Sequence, residues 1–292
     1  MGGLHYEGAI FRPPSEASSL ILQISIGCSH NACTFCIAYK KKVFRTKSWP
    51  EIEADIAVIK KNYPTVQRIF LADGNALCLD TEILLKTLHQ LYRELPLLER
   101  VSIYGAPQDI LQKTPEELKE IRNAGLEIIY FGLESGSDNV LTLINKNVSA
   151  AQMVEACHKA QNAGFSLSVT AIAGLGGQAL TEEHAVETAS VISAINPTYF
   201  SILTLMVVKT APLYKQIQRD EFRLLTPLQD LQEIRLLLDK STLTNCIFRS
   251  NHASNYVPLR GILNRDKNAL IALLDKALAD PTLLRPESTR GL

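Results

Sequence analysis

Six short runs rich in Leu, Ile, Val, Phe and Tyr recur along the chain with a helix-like stretch between each pair, and this alternation admits few folds. The runs are LILQISI (20–26), QRIFLAD (67–73), RVSIYG (100–105), LEIIYFG (126–132), SLSVTAIAG (166–174) and TYFSILTLMV (198–207). Strands that alternate with helices build a parallel sheet wrapped by those helices. The segments between the runs, from WPEIEADIAVIKKNY to TEEHAVETASVISAIN, include several that open on Ser or Thr and close on Gly or Asn, as helix caps do. Strand starts lie roughly thirty to forty-five residues apart, the size of a βα unit. The expectation is an α/β domain of six such units, either closing toward a barrel or lying open as a doubly wound sheet. In both, ligands sit at the carboxyl ends of the strands. With 292 residues, 46% of them hydrophobic, the chain can fill a sizeable core. After residue 210 the pattern turns helical (PLYKQIQRDEF, PLQDLQEIRLLLDKS, RDKNALIALLDKALAD) around a polar stretch read as irregular, TNCIFRSNHASNYVPLRG. Residues 1–17 are accordingly expected to form an arm, 18–210 the core, and 211–292 a C-terminal helical extension packed on it.

Thirty basic and thirty acidic residues cancel, so no overall field attracts a nucleic acid or an anionic membrane. The start, MGGLHYEGAIFRPPSEASS, lacks the charged and apolar regions of a signal peptide, and no apolar run reaches the roughly 20 residues that span a bilayer. A cytoplasmic protein with neither a membrane nor a nucleic-acid partner is expected. In a reducing compartment clustered thiols point to metal binding or catalysis before disulfides.

Half of the six cysteines, Cys28, Cys33 and Cys36, fall in the loop that follows the first strand. Thiolates are soft ligands, which narrows the occupant to zinc or an iron–sulfur cluster. Structural zinc sites usually arrive as two short-spaced pairs, whereas Cys78, Cys157 and Cys246 each stand alone in the sequence. His30 is a possible fourth ligand, and that alternative stays open. A fully protein-ligated iron–sulfur cluster takes four cysteines. A cubane held by three leaves one iron open for a substrate or cofactor.

The cysteine loop resembles that of the radical S-adenosylmethionine (radical SAM) enzymes, whose usual C-x3-C-x2-C signature follows the first strand of a partial barrel. Here the spacing is Cys28-x4-Cys33-x2-Cys36, one residue longer in the first gap. Further segments fall in the family's order over residues 18–210. Phe35 precedes the last cysteine, where the family lays an aromatic ring against adenine; alone it reads equally as a core Phe. The turn ADGNA (72–76) stands where the family has its GGE turn, so Asp73, Gly74 and Asn75 are expected at the methionyl amino group. GLESGSD (132–138) resembles the ribose motif, with Glu134 accepting from the ribose hydroxyls and Ser135 and Gly136 beside it; the alternative is a helix-capping turn. AIAGLGGQ (171–178) resembles the Gly-rich segment near adenine, which places Gly174 at the cofactor. Neither a P-loop Lys-Ser/Thr nor the dinucleotide glycine spacing is present there.

The resemblance implies a partial (β/α)6 TIM-like barrel carrying a 4Fe-4S cluster and S-adenosyl-L-methionine (SAM). It also implies reductive cleavage of SAM to a 5′-deoxyadenosyl radical that abstracts hydrogen from a small- or medium-sized organic substrate, with flavodoxin or ferredoxin as electron donor. GLGGQ followed by TEEHAVET is most similar to the branch with oxygen-independent coproporphyrinogen oxidase-like proteins. His252, in the polar run CIFRSNHASNY, and Tyr104 are the candidate catalytic residues; a polar loop satisfying its own turns is the plainer account of His252. The rival functions are a haem- or cofactor-binding chaperone on the same scaffold and a zinc protein closed by His30.

Overall fold

The computed structural model describes residues 3–291. Two compact units divide the chain. The first takes in the residues up to Asn31, Cys36–Phe131 and Glu155–Leu167; the second takes in Ala32–Phe35, Gly132–Val154 and the residues from Ser168 onward. In chain order the elements are β1 (Leu20–Gln23), β2 (Ser25–Ile26), β3 (Arg45–Thr46), α1 (Trp49–Asn62), β4 (Arg68–Ala72), α2 (Thr81–Glu94), β5 (Arg100–Gly105), α3 (Pro107–Gln112), α4 (Pro115–Asn123), β6 (Leu126–Glu134), α5 (Asp138–Leu143) and α6 (Ala150–Asn162). They continue with β7 (Ser166–Ala173), α7 (Thr181–Ile195), β8 (Tyr199–Thr204), α8 (Pro212–Gln218), α9 (Pro227–Lys240), β9 (Cys246–Ser250), β10 (Leu259–Leu263) and α10 (Lys267–Ala279). The strands are mostly parallel, neighbouring in the order β1-β4-β5-β6 and, in the second unit, β7-β8-β9-β10.

In the first unit, β1, β4, β5 and β6 form parallel ladders, with Leu20 opposite Ile69, Arg68 opposite Arg100 and Ile103 opposite Ile129. Leu22, Ile69, Phe70, Leu71, Ile103 and Ile129 are buried, which is why these runs read as continuously apolar and not as alternating. The helix starts follow their sequence signals. Ser48 N donates to Glu51 Oε2 (2.8 Å) at α1, and at α4 the Thr114 and Glu117 side chains each accept the other residue's backbone N–H (3.1 and 2.7 Å). Each box satisfies donors that the first helical turn leaves over. The N-terminal arm is tied down as well: Tyr6 donates to the Ile21 carbonyl (2.7 Å), and Lys47 Nζ bridges the His5 carbonyl (2.8 Å) and the buried Asp55 (2.7 Å).

In the second unit β7, β8 and β9 are parallel, with Ser168 opposite Tyr199 and Tyr199 opposite Ile247. β10 returns antiparallel, pairing Leu259 with Ser250 and Leu263 with Cys246. These last two strands correct the reading of 244–261 as irregular. Cys246, Phe248 and Ser250 are buried while Ile247 and Arg249 are less so, a period of two that lays Phe248 against Phe200 at 5.7 Å between ring centres. The extension is therefore not purely helical. α9 packs between α7 and α10, and α7 ends on Asn196 in the left-handed conformation that closes many helices. Among the described residues no helix is long and apolar enough to cross a membrane.

Candidate functional site

The cysteine loop leaves β2 at Gly27 and is bound to the turn after β4. Gly27 N donates to Asp73 Oδ2 (3.1 Å), Gly74 N to the Gly27 carbonyl (3.0 Å), and Ser29 N to Asn75 Oδ1 (2.9 Å). Asn75 Nδ2 donates to Ser29 Oγ (2.7 Å) and to the Asp109 carboxylate (3.0 Å), so one amide fixes the loop and ties it to α3. Gly74 has a steric reason to be glycine: a Cβ there would lie 2.6 Å from Cys28 Cβ and 2.9 Å from Cys28 Cα. Asp73 is wholly buried. Its Oδ2 also accepts from Gln23 (3.1 Å) and pairs with Lys42, whereas Oδ1 has no partner. Burial pushes the Asp109 carboxyl up to about 6.

Sequence separation concealed one neighbour of this loop. The Cys78 thiol is pushed up to about 12, first by burial and then by the Asp109 charge, and it also feels Cys28. A short 3₁₀ turn, Ala76–Cys78, carries it back from β4. Tyr104 lies at the end of β5 with its ring edge-on to Phe70 (4.7 Å) and to Tyr130 (6.2 Å). Burial, then Tyr130, raises its hydroxyl pKa, so the phenol stays protonated.

In the second unit the segment around Cys33 and Phe35 is held by backbone. Thr34 N donates to the Ile144 carbonyl and Leu213 N to that of Thr34, both at 2.9 Å. Glu134 ends β6 with φ of 63°, a left-handed conformation uncommon outside glycine, and accepts from Lys146 Nζ at 3.0 Å. The Ser135 hydroxyl is buried against His184 Nδ1 (2.8 Å), and burial pulls that imidazole down to about 4. His184 Nε2 donates to the Ile172 carbonyl (3.1 Å) and lies 3.6 Å from Glu233 Oε1, which accepts from Gly174 N at 2.6 Å. Burial also pushes Glu233 up to about 7. His252 sits in a local turn where its Nδ1 accepts from Ser254 N at 3.1 Å, placing the neutral ring's proton on Nε2, and burial followed by the Arg285 charge lowers its pKa.

Gly136 donates its N–H to Thr188 Oγ1 (2.9 Å), and a Cβ on it would stand 2.6 Å from both the Glu187 carbonyl carbon and Thr188 Cα. Backbone cannot yield as a flexible side chain does. Gly136→Ala is therefore expected to cost about 3 kcal/mol through overpacking. Urea unfolding checks this, and a loss under about 0.5 kcal/mol would mean that the turn has slack.

The structure thus brings Cys28, Asp73, Gly74 and Asn75 together in the first unit; in the second it seats Ser135, next to Glu134 and Gly136, on His184, and holds Gly174 through Glu233. Tyr104 and His252 stand in separate side-chain settings. Among the described residues no three His, Cys, Asp or Glu side chains are gathered closely enough to hold a metal ion.

The model of the radical SAM superfamily matches residues 22–191, more than half of the chain. The chain belongs to the radical SAM superfamily. This radical SAM protein is 24% identical over 185 residues to the heme chaperone HemW of Bacillus subtilis (strain 168), an alignment covering 63% of this chain and 48% of that one. It thus spans about half the length of that curated relative. Coproporphyrinogen III oxidase (HemN) from Escherichia coli shares the fold with a TM-score of 0.54 and 20% identity, over 76% of this chain and 52% of that one. Methylornithine synthase (PylB) does so with a TM-score of 0.53 and 15% identity, over 91% and 85%. The α/β partial TIM-like barrel is therefore this protein's fold class, and the HemW likeness fits the coproporphyrinogen oxidase-like branch.

Proposed function

We propose that this protein is a radical SAM enzyme, an oxidoreductase or transferase in which Cys28, Cys33 and Cys36 hold a 4Fe-4S cluster. The observation that carries the reading is the clamp between the cysteine loop and the turn at 73–75, in which Gly74 leaves no room for a side chain beside Cys28. The residues suit a cluster and SAM. Three thiols in nine positions make a soft donor set, and the unpartnered, buried Asp73 Oδ1 is an acceptor suited to an ammonium.

Cys28, Cys33 and Cys36 would hold the cluster, which would supply the electron for reductive cleavage of SAM to methionine and a 5′-deoxyadenosyl radical able to take hydrogen from an organic substrate. The chain's own part is binding and positioning. Asp73, Gly74 and Asn75 receive the methionyl end, and Phe35 and Gly174 lie at the adenine. Glu134 accepts from the ribose hydroxyls, its backbone strain being the kind that collects at binding sites; Ser135 and Gly136 fix the turn that follows it. Tyr104 and His252 are assigned to the substrate side, His252 as an imidazole that burial, then the Arg285 charge, keeps neutral. Flavodoxin or ferredoxin delivers the electron in a reducing, cytoplasmic setting. The core is drawn at 18–210, preceded by the arm 1–17 and followed by the extension 211–292.

A second reading is favoured by the HemW likeness: a haem- or cofactor-binding chaperone without radical turnover. Anaerobic reconstitution with iron and sulfide, reduction with dithionite and addition of SAM separates the two. The enzyme reading expects 5′-deoxyadenosine, detected by liquid chromatography with mass spectrometry. Haem binding with no SAM cleavage at any reductant concentration would transfer the assignment to the chaperone.

A further inference from the structure

We propose that the second unit binds an organic dicarboxylate on a pair of facing arginines, and that such a dianion is the class of substrate this protein takes. Arg249 on β9 and Arg260 on β10 stand directly opposite each other in the antiparallel ladder. Side chains at such positions leave the same face of the sheet, with their Cβ atoms about 5 Å apart. Both residues are exposed, and among the described residues neither guanidinium pairs with a carboxylate. Arg249 Nη1 gives one N–H to the Phe248 carbonyl (2.7 Å), which leaves the charge uncompensated. Like charges set opposite one another weaken a sheet. A charge on an edge strand such as β10 serves to block pairing with another chain, but β9 lies between β8 and β10 and has no edge to protect. An anion shared by both cations removes the repulsion.

The row in which the pair lies says what else the ligand meets. The ladders set Ser201 of β8 beside Arg249, and Thr170 of β7 beside Ser201. Neighbouring strands are about 4.8 Å apart, so Thr170 to Arg260 is a polar row roughly 14 Å long. The two hydroxyl side chains are half-buried, and among the described residues neither bonds another group. One step along the same face Ile247 and Ile262 stand opposite each other, also half-buried, and supply hydrocarbon. A guanidinium holds a carboxylate through two parallel N–H bonds, and Arg249 keeps its Nε and Nη2 for such a fork. Two forks about 5 Å apart at Cβ take two carboxylates on one frame. The hydroxyls then donate to the outer oxygens, and the isoleucines touch the frame itself. A single carboxylate would leave one arginine unpaired, and an inorganic anion would leave the isoleucines bare. β9 ends at Ser250, two residues before His252, which is assigned to the substrate side. That the ligand is the substrate rests on the radical SAM reading; its binding to the arginines does not.

Isophthalate carries two carboxylates on an apolar ring, benzoate is the same ring with one, and inorganic phosphate is an anion with no apolar body. Ligand-observed NMR titrations of the full chain at low ionic strength, with neither cluster nor SAM added, keep a failure here distinct from a failure of the radical SAM reading, which the 5′-deoxyadenosine assay tests. Isophthalate is expected to bind with a dissociation constant on the order of 1 mM, and benzoate and phosphate about tenfold more weakly. Arg249→Met and Arg260→Met should each weaken isophthalate about tenfold while the far-ultraviolet circular dichroism is unchanged. Because the free pair repels itself, ligand-free Arg260→Met is also expected to melt no lower than the wild type, which an arginine kept for structure would not allow. The proposal is overturned if isophthalate does not bind, if benzoate or phosphate binds as tightly, if neither variant weakens isophthalate, or if Arg260→Met lowers the melting temperature by several degrees.

Discussion

Cys28→Ala, Cys33→Ala and Cys36→Ala are each expected to abolish the iron and sulfide that the reconstituted wild type retains, about four of each per chain, whereas Cys78→Ala retains them. Three thiolates are the fewest that hold a cubane while leaving one iron open, so removing any one leaves two protein ligands and a cluster that does not survive gel filtration. Cys78 makes the comparison demanding, because it is a fourth thiol close enough to Cys28 to interact with it electrostatically. Burial disfavours its thiolate, the form a metal ligand must take. Iron and acid-labile sulfide assays on anaerobically prepared protein read the outcome. If Cys78→Ala loses the metal as completely as the others, the centre is saturated by four cysteines and SAM has no iron to bind. If Cys33→Ala retains it, the trio has been assigned wrongly.

The fold was more legible than the site, for physical reasons visible in particular residues. The six βα strands, from Leu20–Gln23 to Tyr199–Thr204, announce themselves by apolar, β-branched runs, nearly continuous in β4 as in parallel strands covered on both faces and alternating in β8. β9 and β10 escape this signal. Each has five residues, the alternation in Cys246–Ser250 includes a buried serine, and the polar segment from Asn251 to Asn255 follows at once. At the site, the three cysteines were legible because they are adjacent in the chain. The nearness of Cys78 to Cys28 was not, since it depends on how β4 lies beside β1. Gly74 looked like a turn glycine, yet its constraint is the backbone of Cys28. Ser135 was legible as part of a motif, while its bond to a buried histidine near Glu233 depends on α7 and α9 packing together.

Lys47→Met is expected to destabilise the first unit by about 3–5 kcal/mol. Lys47 and Asp55 meet at 2.7 Å with each side chain about 2% exposed, so taking away the ammonium leaves a carboxylate in a place that water does not reach. His5 N–H (3.1 Å) and the His5 ring (3.0 Å) still contact the other carboxylate oxygen, but the His5 side chain is largely exposed and supplies no buried counter-charge. The carbonyl of His5 loses its ammonium donor as well, and with it the tether of the arm that precedes β1. The double variant Lys47→Met/Asp55→Leu distinguishes an ion pair that stabilises the fold from one that only has to be complete. Replacing both partners with apolar groups of similar size removes the stranded charge, and stability is expected to return to within about 1 kcal/mol of the wild type. Chemical denaturation of the four proteins in the mutant cycle gives the coupling directly. A loss below about 0.5 kcal/mol for Lys47→Met would show that water reaches Asp55. A double variant as unstable as the single one would show that the pair's geometry itself holds the N-terminal arm on the barrel's first strand.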